Sequence, residues 1–577
     1  MDKDIHKIME LVGNKHSYII FIIIVNLVIW INVSTINYSV AFIEAKPEVV
    51  YNDNGKIVNS KLNYEICEKY GFNVTKDYKY SIITDFRDGT ECNKLKNSLI
   101  GTFLSFGVFL GNFLFQVIPS KMGFKNLLVY FHYIHAVLLL ITIFYKNYYY
   151  FQVLNFFIMF LTKIMLNTSL VINNELVDLK YKSLISSFIN SGNGIGGMFY
   201  VLMYFLLEDW RYVFIVGACL SLVSGIIIHI FYHESLAQLL IKKEYNKFYN
   251  TLLYIAKKNN RLKEFEEGIA QNEEYKKCLE QLKSYTLSDK NEKELEKSED
   301  KKISEEDNKN TKIDELLRIK ESTTNRNNEN KENNENNENN KKNENQNTIP
   351  QKNSTNDKTT RKIKGSFFQL FRYSSVRYTA IILSLGWFCN ATLFYGLVIG
   401  IKTLKGSQYR NTAILYLCDT CAYNLSGVFS NSRLGRKLSL QIFTFAYGIF
   451  CLVMCFTFDY NKNVVVGFYF CARLSMICSF CVYYTFAFES YPISVANYGY
   501  SLNSATCSIA GIVIPFIIEY LKEKYVFLIY GIFGVVCTGL FFFLKETRGM
   551  PREDNIKEIE EEMKKENKIE NTNNKMN

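Results

Sequence analysis

The sequence predicts an all-α membrane protein in which twelve transmembrane helices form two halves of six. Of the 577 residues, 48% are hydrophobic, yet the mean hydropathy is only −0.03, so very apolar segments must alternate with very polar ones. The apolar residues fall into twelve runs, each near the roughly 20 residues that a helix needs to cross a bilayer. A long polar segment, residues 233–372, separates the first six runs from the last six.

Each apolar run is predicted to be a helix, because a segment in lipid must satisfy its own backbone hydrogen bonds. The first run follows a short polar leader, residues 1–16, and shows no small-residue cleavage site. We therefore expect a retained helix rather than a signal peptide. The runs lie near 17–43, 98–118, 126–145, 150–172, 183–206, 212–231, 377–401, 411–430, 438–457, 464–488, 499–518 and 526–544.

The polar segment between the halves begins with an amphipathic stretch and then loses its apolar residues. Of the 23 residues from Asn325 to Asn347, 13 are asparagine. Such a composition cannot bury enough apolar surface to offset the ordering of the chain, so we expect disorder over 288–365. The net charge of +11 comes from loops and tails and indicates no nucleic-acid partner. The predicted divisions are 1–16, the first half 17–232 with an outer loop at 45–95, the linker 233–372, the second half 373–545 and the tail 546–577.

The orientation is predicted from the loop between the first two spans, because the basic residues do not decide it. Short connections carry 7 Lys and Arg on one side and 8 on the other, so the positive-inside rule gives no answer. The loop at 45–95 contains a glycosylation sequon at Asn73 and two cysteines, Cys67 and Cys92, which could pair in an oxidising exterior. We therefore expect both termini and the linker to be cytoplasmic.

Three charged residues lie inside predicted spans: Lys163 in the fourth, Asp419 in the eighth and Arg473 in the tenth. Charges at membrane depth are costly and usually face the interior of the helix bundle, where they serve binding or coupling. The alternative is that these three pair with buried groups and only hold the bundle together.

Two motifs that mark nucleotide or metal sites in soluble proteins are interpreted here as helix packing. G-x-G-x-x-G at 192–197 lies in the middle of a predicted membrane helix, whereas a dinucleotide site must follow a strand. Gly192 and Gly196 are spaced G-x-x-x-G, which lets a neighbouring helix approach closely. The C-x-x-C pairs at 418–421 and 478–481 also lie inside apolar runs, where cysteine behaves as a small hydrophobic residue.

Short motifs at the ends of the predicted spans carry a family resemblance. They are SIITDF at 81–86 with Cys92, Glu175 with KYK at 180–182, DWR at 209–211, YHES at 232–235, WFCNATLFYGL at 387–397, RLGRK at 433–437, ESYP at 489–492, Asn497 with Gly499, and LKETRG at 544–549. No one of them is specific, but together they resemble the major facilitator superfamily and, more narrowly, its organic cation/anion transporter family. The resemblance implies two six-helix halves that rock around a central cavity, as internal repeats do in such transporters.

Two loops resemble the superfamily's D-R-x-G-R-K motif, whose acid and bases hold neighbouring helices together on the cytoplasmic side. They are SKMGFK at 120–125 and SRLGRK at 432–437. Both acid positions hold serine, so the resemblance implies a looser gate or other acidic partners. The predicted gating residues are Ser120, Lys121, Ser432, Arg433 and Arg436, with Glu175 and Glu489 as alternative acids and Asp419 and Arg473 as further coupling residues.

The charge of the cavity departs from the family. In the eleventh span the cation transporters carry an aspartate and the anion transporters an arginine, whereas this chain has Ser508. A second acidic position of the cation transporters falls on Cys481, and a third falls on Thr420, next to Asp419. The resemblance therefore implies a small polar solute that is neutral, zwitterionic or weakly anionic, with Lys163 as the contact for a carboxylate.

The remaining candidate contacts are polar or aromatic residues at positions that face the cavity in the family. Asn190 falls on a substrate-binding position of the fifth span. Phe394 and Tyr395 match an aromatic pair of the seventh span, and we add Tyr483 with Tyr484 in the tenth as stacking or cation–π surfaces. For each aromatic the alternative is packing within the bundle.

The predicted function is secondary transport of a small organic solute across a lipid bilayer, driven by the solute gradient, the membrane potential or protons. Asp419, Glu175 and Glu489 are the candidate proton carriers, since acids at membrane depth relay protons. The alternative is a transporter-shaped receptor or scaffold, which the serines at 120, 432 and 508 favour. Neither an enzyme nor a cofactor is expected, because no catalytic constellation is present. The membrane is either the plasma membrane or that of an organelle or vesicle.

Overall fold

The computed structural model describes residues 2–13, 17–37, 40–53, 55–70, 72–76, 81–86, 92–115, 118–144, 147–177, 182–284, 368–492 and 495–548. Residues 288–365, for which the sequence predicts disorder, and the tail from 549 onward lie outside the described residues. The chain divides into one unit of residues 1–282 and 364–577 and a second of residues 283–363. The helices described below belong to the first unit.

The first half of the chain is built from helices and one small sheet. Its helices are α1 (Asp2–Val12), α2 (Ser17–Asn37), α3 (Val40–Ile43), α4 (Tyr64–Lys69), α5 (Ile82–Phe86), α6 (Lys94–Leu114), α7 (Ile118–Met122), α8 (Phe124–Thr142), α9 (Tyr148–Leu176), α10 (Lys182–Asn190), α11 (Gly192–Leu207), α12 (Trp210–Phe231), α13 (Leu236–Ile241), α14 (Tyr245–Lys258) and α15 (Leu262–Gln271). Of these, α2, α6, α8, α9, α10 with α11, and α12 match the first six predicted spans.

The second half repeats this arrangement of six long helices. Its helices are α16 (Gln369–Arg372), α17 (Ser374–Ile399) with a 3-10 turn at Gly400–Thr403, α18 (Gln408–Asn431), α19 (Gly435–Thr457), α20 (Lys462–Glu489), α21 (Ala496–Tyr520) and α22 (Glu523–Phe541). α17 to α22 match the last six predicted spans.

Ten of the helices in the described part of the chain are long and apolar enough to cross a membrane on their own. The other two predicted spans are also helical but are not long and apolar enough on their own, each for a different reason. The fifth is divided at Ser191 into pieces of 9 and 16 residues, α10 and α11. The eighth, α18, has 24 residues but carries Asp419 and several amides among its apolar side chains. All twelve predicted spans therefore coincide with helices.

Glycines of α11 bring that helix into close contact with α2 in the same half. A Cβ on Gly192 would lie 2.9 Å from the Trp30 Cβ, and one on Gly196 would lie 2.6 Å from the Ile31 carbonyl oxygen. Real Cβ atoms essentially never come this close, so neither position has room for a side chain. This is the close approach that the G-x-x-x-G spacing predicts.

The other face of α11 meets α18 of the second half in the same way. A Cβ on Gly194 would lie 2.4 Å from the Thr420 Oγ1, and one on Gly197 would lie 2.4 Å from the ring of Tyr416. The glycines at 192–197 therefore serve two interfaces, one within the first half and one between the halves.

A second contact between the halves joins α6 to α21. A Cβ on Gly101 would lie 2.7 Å from the Pro515 Cγ, and one on Gly511 would lie 2.5 Å from the Ser105 Oγ. The Thr102 hydroxyl also donates a hydrogen bond to the Ile512 carbonyl across this contact, at 3.0 Å. The two halves thus touch along two helix pairs, α11 with α18 and α6 with α21.

A three-stranded antiparallel sheet lies between α3 and α6. Its strands are β1 (Glu48–Asp53), β2 (Lys56–Lys61) and β3 (Phe72–Lys76), in the order β2-β1-β3. Cys67 and Cys92 form a disulfide beside it, with Cα atoms 5.9 Å apart. Asn73, in the predicted glycosylation sequon, lies in β3 with its side chain exposed. We call the end of the bundle that carries this sheet the sheet side and the other end the opposite side.

On the opposite side, α1 packs on the short helices that follow α12. Phe248 and Phe265 are fully buried there, as the amphipathic pattern after the sixth span predicts. The Asn259 side chain connects the two segments, because its amide nitrogen donates to the Val12 and Gly13 carbonyls and its amide oxygen accepts from the Tyr18 backbone N–H.

The contact between α11 and α18 gives a test of the glycine interface. We expect Gly194→Ala to destabilise the protein by about 1–3 kcal/mol, because the new methyl group would force the two halves apart. The measurement is thermal unfolding of the detergent-solubilised protein.

Gly467→Ala is the matched control, because Gly467 lies inside α20 and a Cβ added there would meet no atom within 4 Å. Alanine should be neutral or slightly stabilising at that position, since it has the higher helix propensity. Equal melting temperatures for the two variants would show that α11 and α18 do not meet as described.

Candidate functional site

A cavity lies between the two halves, close to the contact of α6 with α21. Its empty space, part of which is open to solvent, measures roughly 450 Å³. Most of its wall is apolar, and Ser105 and Tyr395 contribute hydroxyl groups. The lining residues are Gly101, Leu104, Ser105, Val108, Met159, Phe394, Tyr395, Val398, Ile399 and Gly511. Both halves therefore contribute to the wall, as a site that opens alternately to each side requires.

A proline leaves one backbone carbonyl of the cavity wall without its helical partner. Pro515 lies inside α21 and has no N–H to donate to the carbonyl four residues earlier. That carbonyl belongs to Gly511, which lines the cavity. The Gly511 carbonyl therefore cannot form the usual helical hydrogen bond with residue 515.

Lys163 lies one helical turn beyond Met159 on α9, on the face that borders the cavity. Its stem packs against α6, since a Cβ on Gly111 would lie 3.1 Å from the Lys163 Cβ. The side chain keeps partial solvent exposure, although other protein atoms surround its amine closely. Cys507 of α21 is within electrostatic range of the amine. Among the residues that the structure describes, we find no hydrogen-bond or ion-pair partner for this amine. Lys163 therefore presents an amine without a partner among these residues, between the halves.

Asp419 and Arg473, the other two charges inside the helices, pair with each other. The Arg473 Nε donates to one Asp419 oxygen and the second guanidinium nitrogen to the other, both at 2.6 Å, and both side chains are fully buried. The remaining nitrogen of Arg473 donates to the Phe394 carbonyl at 2.8 Å. Of the two alternatives that the sequence leaves open, the geometry favours a pair that holds α17, α18 and α20 together.

The four predicted aromatic contacts have different surroundings. Phe394 and Tyr395 line the cavity, and Phe394 is held from behind by the Arg473 guanidinium, 4.7 Å from its ring centroid. Tyr483 is buried and donates its hydroxyl to the Leu383 carbonyl at 2.6 Å, so its side chain packs within the second half rather than at the cavity. Tyr484 is half-buried with its ring 4.6 Å from that of Trp387.

The three predicted polar contacts also differ. Ser508 is fully buried and donates to the Ser504 carbonyl of its own helix at 3.1 Å, and Cys481 lies beside Ser426. Neither lines the cavity described above. Asn190 ends α10 at the helix division, and its buried amide oxygen has no hydrogen-bond partner among the described residues, so it remains a candidate contact.

Two glutamates cap the loops on the opposite side and were missed by the sequence reasoning. Glu234 accepts hydrogen bonds from the backbone N–H groups of Phe124 and Lys125, at 2.7 and 3.2 Å. Glu546 accepts in the same way from Arg436 and Lys437, both at 3.0 Å. A carboxylate at a helix N-terminus satisfies unpaired N–H groups and is favoured by the helix dipole. The caps therefore fasten α8 to the end of α12, and α19 to the end of α22.

The glycine of each loop makes room for its cap. Gly123 and Gly435 have φ angles of +95° and +80°, a backbone region that favours glycine. A Cβ would lie 2.3 Å from a Glu234 oxygen in the first loop and 2.6 Å from a Glu546 oxygen in the second. The signal for these caps was present in the sequence, because E-S at 234–235 and E-T at 546–547 follow the sixth and twelfth spans at matching places.

Backbone hydrogen bonds keep the second cap ionised. Burial alone would raise the pKa of Glu546, but the N–H groups of Arg548, Arg436, Lys437 and Thr547 lower that pKa below its ordinary value. The cap therefore contributes to stability at neutral pH and is lost only in acid.

The predicted gating residues divide into paired and exposed groups. Arg436 forms an ion pair with Glu489, and Glu175 accepts a hydrogen bond from the Ser235 hydroxyl at 2.7 Å. Ser432 donates its hydroxyl to the Phe429 carbonyl at 2.8 Å. Lys121 and Arg433 are exposed, and the side chain of Ser120 lies outside what the structure describes. Both alternative acids are therefore engaged on the opposite side.

Comparisons with curated proteins find similarity to solute carriers. The chain is 29% identical over 209 residues to solute carrier family 22 member 15-like of Xenopus tropicalis, covering 35% of this chain and 42% of that protein. It is 29% identical over 201 residues to solute carrier family 22 member 3 of Rattus norvegicus, covering 34% and 36%. The chain thus spans less than half the length of the curated relatives it matches.

Comparisons with solved structures show the fold. The proton:xylose symporter XylE bound to 6-bromo-6-deoxy-D-glucose superposes with a TM-score of 0.53 at 15% identity, over 93% of this chain and 98% of that chain. The inward open conformation of the xylose transporter XylE from E. coli gives 0.55 at 13% identity, over 92% and 97%.

The family follows from a match that covers most of the chain. The sequence profile of the Major Facilitator Superfamily matches residues 80–515, from the end of the first loop to Pro515. The two sets of six helices, the cavity between them and the likeness to solved structures agree with this match. The chain belongs to the Major Facilitator Superfamily.

Proposed function

We propose that this multi-pass membrane protein transports small organic solutes by alternating access. The observation that carries the proposal is Lys163, whose amine has no partner among the described residues, beside a cavity that both halves line. A cavity shared by two halves can open to each side in turn when the halves rock, and a charge without a partner is available to a ligand.

The substrate that this site favours is a small zwitterion or organic anion with an apolar body. Asp419 and Arg473 neutralise each other, which leaves Lys163 as the uncompensated charge among the described residues of the helix interiors. A carboxylate would pair with Lys163, and a substrate ammonium would find the Gly511 carbonyl that Pro515 leaves free. Most of the lining is apolar, as is general for small-molecule sites.

The proposed orientation has the sheet side outside the cell or in an organelle lumen. The disulfide between Cys67 and Cys92 and the exposed sequon at Asn73 support it, because disulfides and glycans belong to oxidising compartments. The loops capped by Glu234 and Glu546 would then face the cytoplasm.

The second candidate function is a receptor or scaffold that no longer transports. It rests on the serines that replace the acids of the two loops, Ser120 and Ser432. The caps weaken this argument, because Glu234 and Glu546 supply carboxylates to the same loops and Arg436 pairs with Glu489.

The decisive experiment is uptake of a panel of amino-acid-like and carboxylated solutes into proteoliposomes, with and without a pH gradient. Transport predicts saturable uptake of at least one solute, and the same solute should raise the melting temperature of the purified protein. If no solute moves and none shifts the melting temperature, the receptor or scaffold function is favoured.

Lys163→Ala should raise the KM for a carboxylated substrate by about 10- to 100-fold, the equivalent of a hydrogen bond to a charged group worth about 1.5–3 kcal/mol. Initial uptake rates measured over a range of substrate concentrations give this value. Lys257→Ala is the matched control, because Lys257 is exposed near the end of α14 and does not line the cavity, and it should leave KM unchanged. Unchanged kinetics in Lys163→Ala would remove this lysine from the site.

Asp419→Asn and Arg473→Gln should each lower the melting temperature strongly. Removing one partner of a buried pair leaves the other charge uncompensated, which costs about 3–5 kcal/mol of stability. The double variant should be destabilised by less than the sum of the two, a coupling that a double-mutant cycle measures. The exposed pair of Asp459 with Lys524 is the control and should show a coupling below about 1 kcal/mol. If Asp419→Asn instead abolishes pH-dependent uptake without loss of stability, Asp419 is a proton carrier.

A further inference from the structure

Four charged side chains meet on the sheet side, at the place where the two halves come together. The Lys402 amine lies 2.9 Å from a Glu44 oxygen and 3.0 Å from a Glu519 oxygen. The Lys46 amine lies 3.9 Å from the other oxygen of Glu519. We call these four residues the sheet-side latch.

The latch joins the halves directly. Glu44 and Lys46 follow α3 in the first half, whereas Lys402 follows α17 and Glu519 ends α21 in the second. All four side chains are largely buried, with exposed fractions of 3–15%. Among the described residues, the ion pairs that connect the two halves are those of this latch. Its contacts tie the two halves together at the sheet side.

The two carboxylates of the latch are not equivalent. Glu519 is supported by Lys402, by Lys46 and by the hydroxyl of Tyr64, which is within hydrogen-bond reach. Among the described residues, the ion-pair partner of Glu44 is Lys402, which it shares with Glu519. Its second oxygen, Oε1, is buried and has no hydrogen-bond partner among the described residues. A buried carboxylate oxygen without a donor is costly unless the group takes up a proton.

The electrostatic surroundings of Glu44 also favour its protonated form. Burial raises the pKa of Glu44 above its ordinary value, the neighbouring charge of Glu519 adds to the increase, and Lys402 and Lys46 oppose it. Within the described part of the chain, these three are the charged groups that face Glu44. When the latch opens, Glu44 meets water and its pKa returns toward the ordinary value. Closing therefore takes up a proton, and acid on the sheet side favours the closed latch through this group.

We propose that Glu44 is a proton-binding residue of the transport cycle, and that a proton from the sheet side binds its Oε1 as the latch closes. Lys46 of the first half remains paired with Glu519 of the second when this happens, so the latch keeps an ion pair between the halves. The proposal deepens the proposed function, since it assumes that the halves rock. It also differs from the sequence prediction, because Asp419, Glu175 and Glu489 are all engaged by other groups.

The proposal makes opposite predictions for the two carboxylates. Glu44→Gln mimics the protonated acid, so it should favour the closed latch. Glu519→Gln removes an anion that two lysines stabilise, so it should favour the open latch. A latch held only by ion pairs, without proton binding, predicts that both substitutions open it.

The test measures opening without any substrate, so its outcome does not depend on whether transport is found. Ser105→Cys places a thiol in the cavity, where a membrane-impermeant maleimide added on the sheet side reaches it only when the latch is open. The rate of modification at residue 105 is measured by mass spectrometry in the full-length protein. A thiol at Tyr460→Cys is the reference, because Tyr460 is 89% exposed in the loop between α19 and α20, and it corrects for the pH dependence of the thiol itself.

We expect Glu44→Gln to slow the modification several-fold and Glu519→Gln to speed it several-fold. Lowering the pH on the sheet side from 7.5 to 5.5 should slow the corrected rate when Glu44 is present and leave it unchanged in Glu44→Gln. Asp459→Asn, which breaks an exposed pair with Lys524 inside the second half, should change nothing. Faster modification in Glu44→Gln, or a pH response that survives this substitution, would overturn the proposal. The pH series needs no substitution in the latch, so it remains decisive if Glu44→Gln does not fold.

Discussion

The close approach of backbones between the two halves is the constraint on which the rest of the structure depends. Glycines of α11 meet α18, and glycines of α6 and α21 meet the facing helix, at distances that leave no room for a methyl group. We expect these two contacts to allow rotation of one half against the other but little sliding. Closely packed surfaces fit together in only a few discrete arrangements, and sliding would disrupt that fit. Gly101 and Gly511 also line the cavity, so the contacts that permit movement also limit the space available to a substrate.

Interactions within each half are of a different kind from those between the halves. Within the second half, Arg473 holds Asp419 by two short hydrogen bonds, and Glu546 fastens the ends of two helices. The first half has the corresponding cap at Glu234. Between the halves, the ion pairs of the described residues are confined to one end of the bundle. This division is what the movement of two rigid bodies requires, because each body keeps its internal hydrogen bonds while the contacts between the bodies, at the ends of the bundle, break and form again.

Hydropathy alone predicted the number of helices and the two halves, since apolar length is a strong constraint in a membrane. It also placed Lys163 inside a long apolar helix, but only the fold shows that this lysine lacks a partner among the described residues while Asp419 and Arg473 have each other. For Tyr483 the sequence was not sufficient, because the spacing of aromatic residues along a helix does not reveal whether a ring faces a cavity or packs against a neighbouring helix. Glu234 and Glu546 could be recognised from the sequence, because each follows the last span of its half at a matching position. Glu44 and Lys402 are separated by 358 residues, and no local sequence pattern indicates that they pair.

The sheet is attached to the latch through Tyr64, the first residue of α4. The Lys46 amine lies 3.3 Å from the centroid of the Tyr64 ring, and the Asn97 amide at the start of α6 donates to its hydroxyl at 2.6 Å. Three residues further on, Cys67 is tied covalently to Cys92. A shift of the sheet therefore cannot leave the latch undisturbed. Anything that displaces the sheet would therefore act on the contact between the halves from outside the cavity.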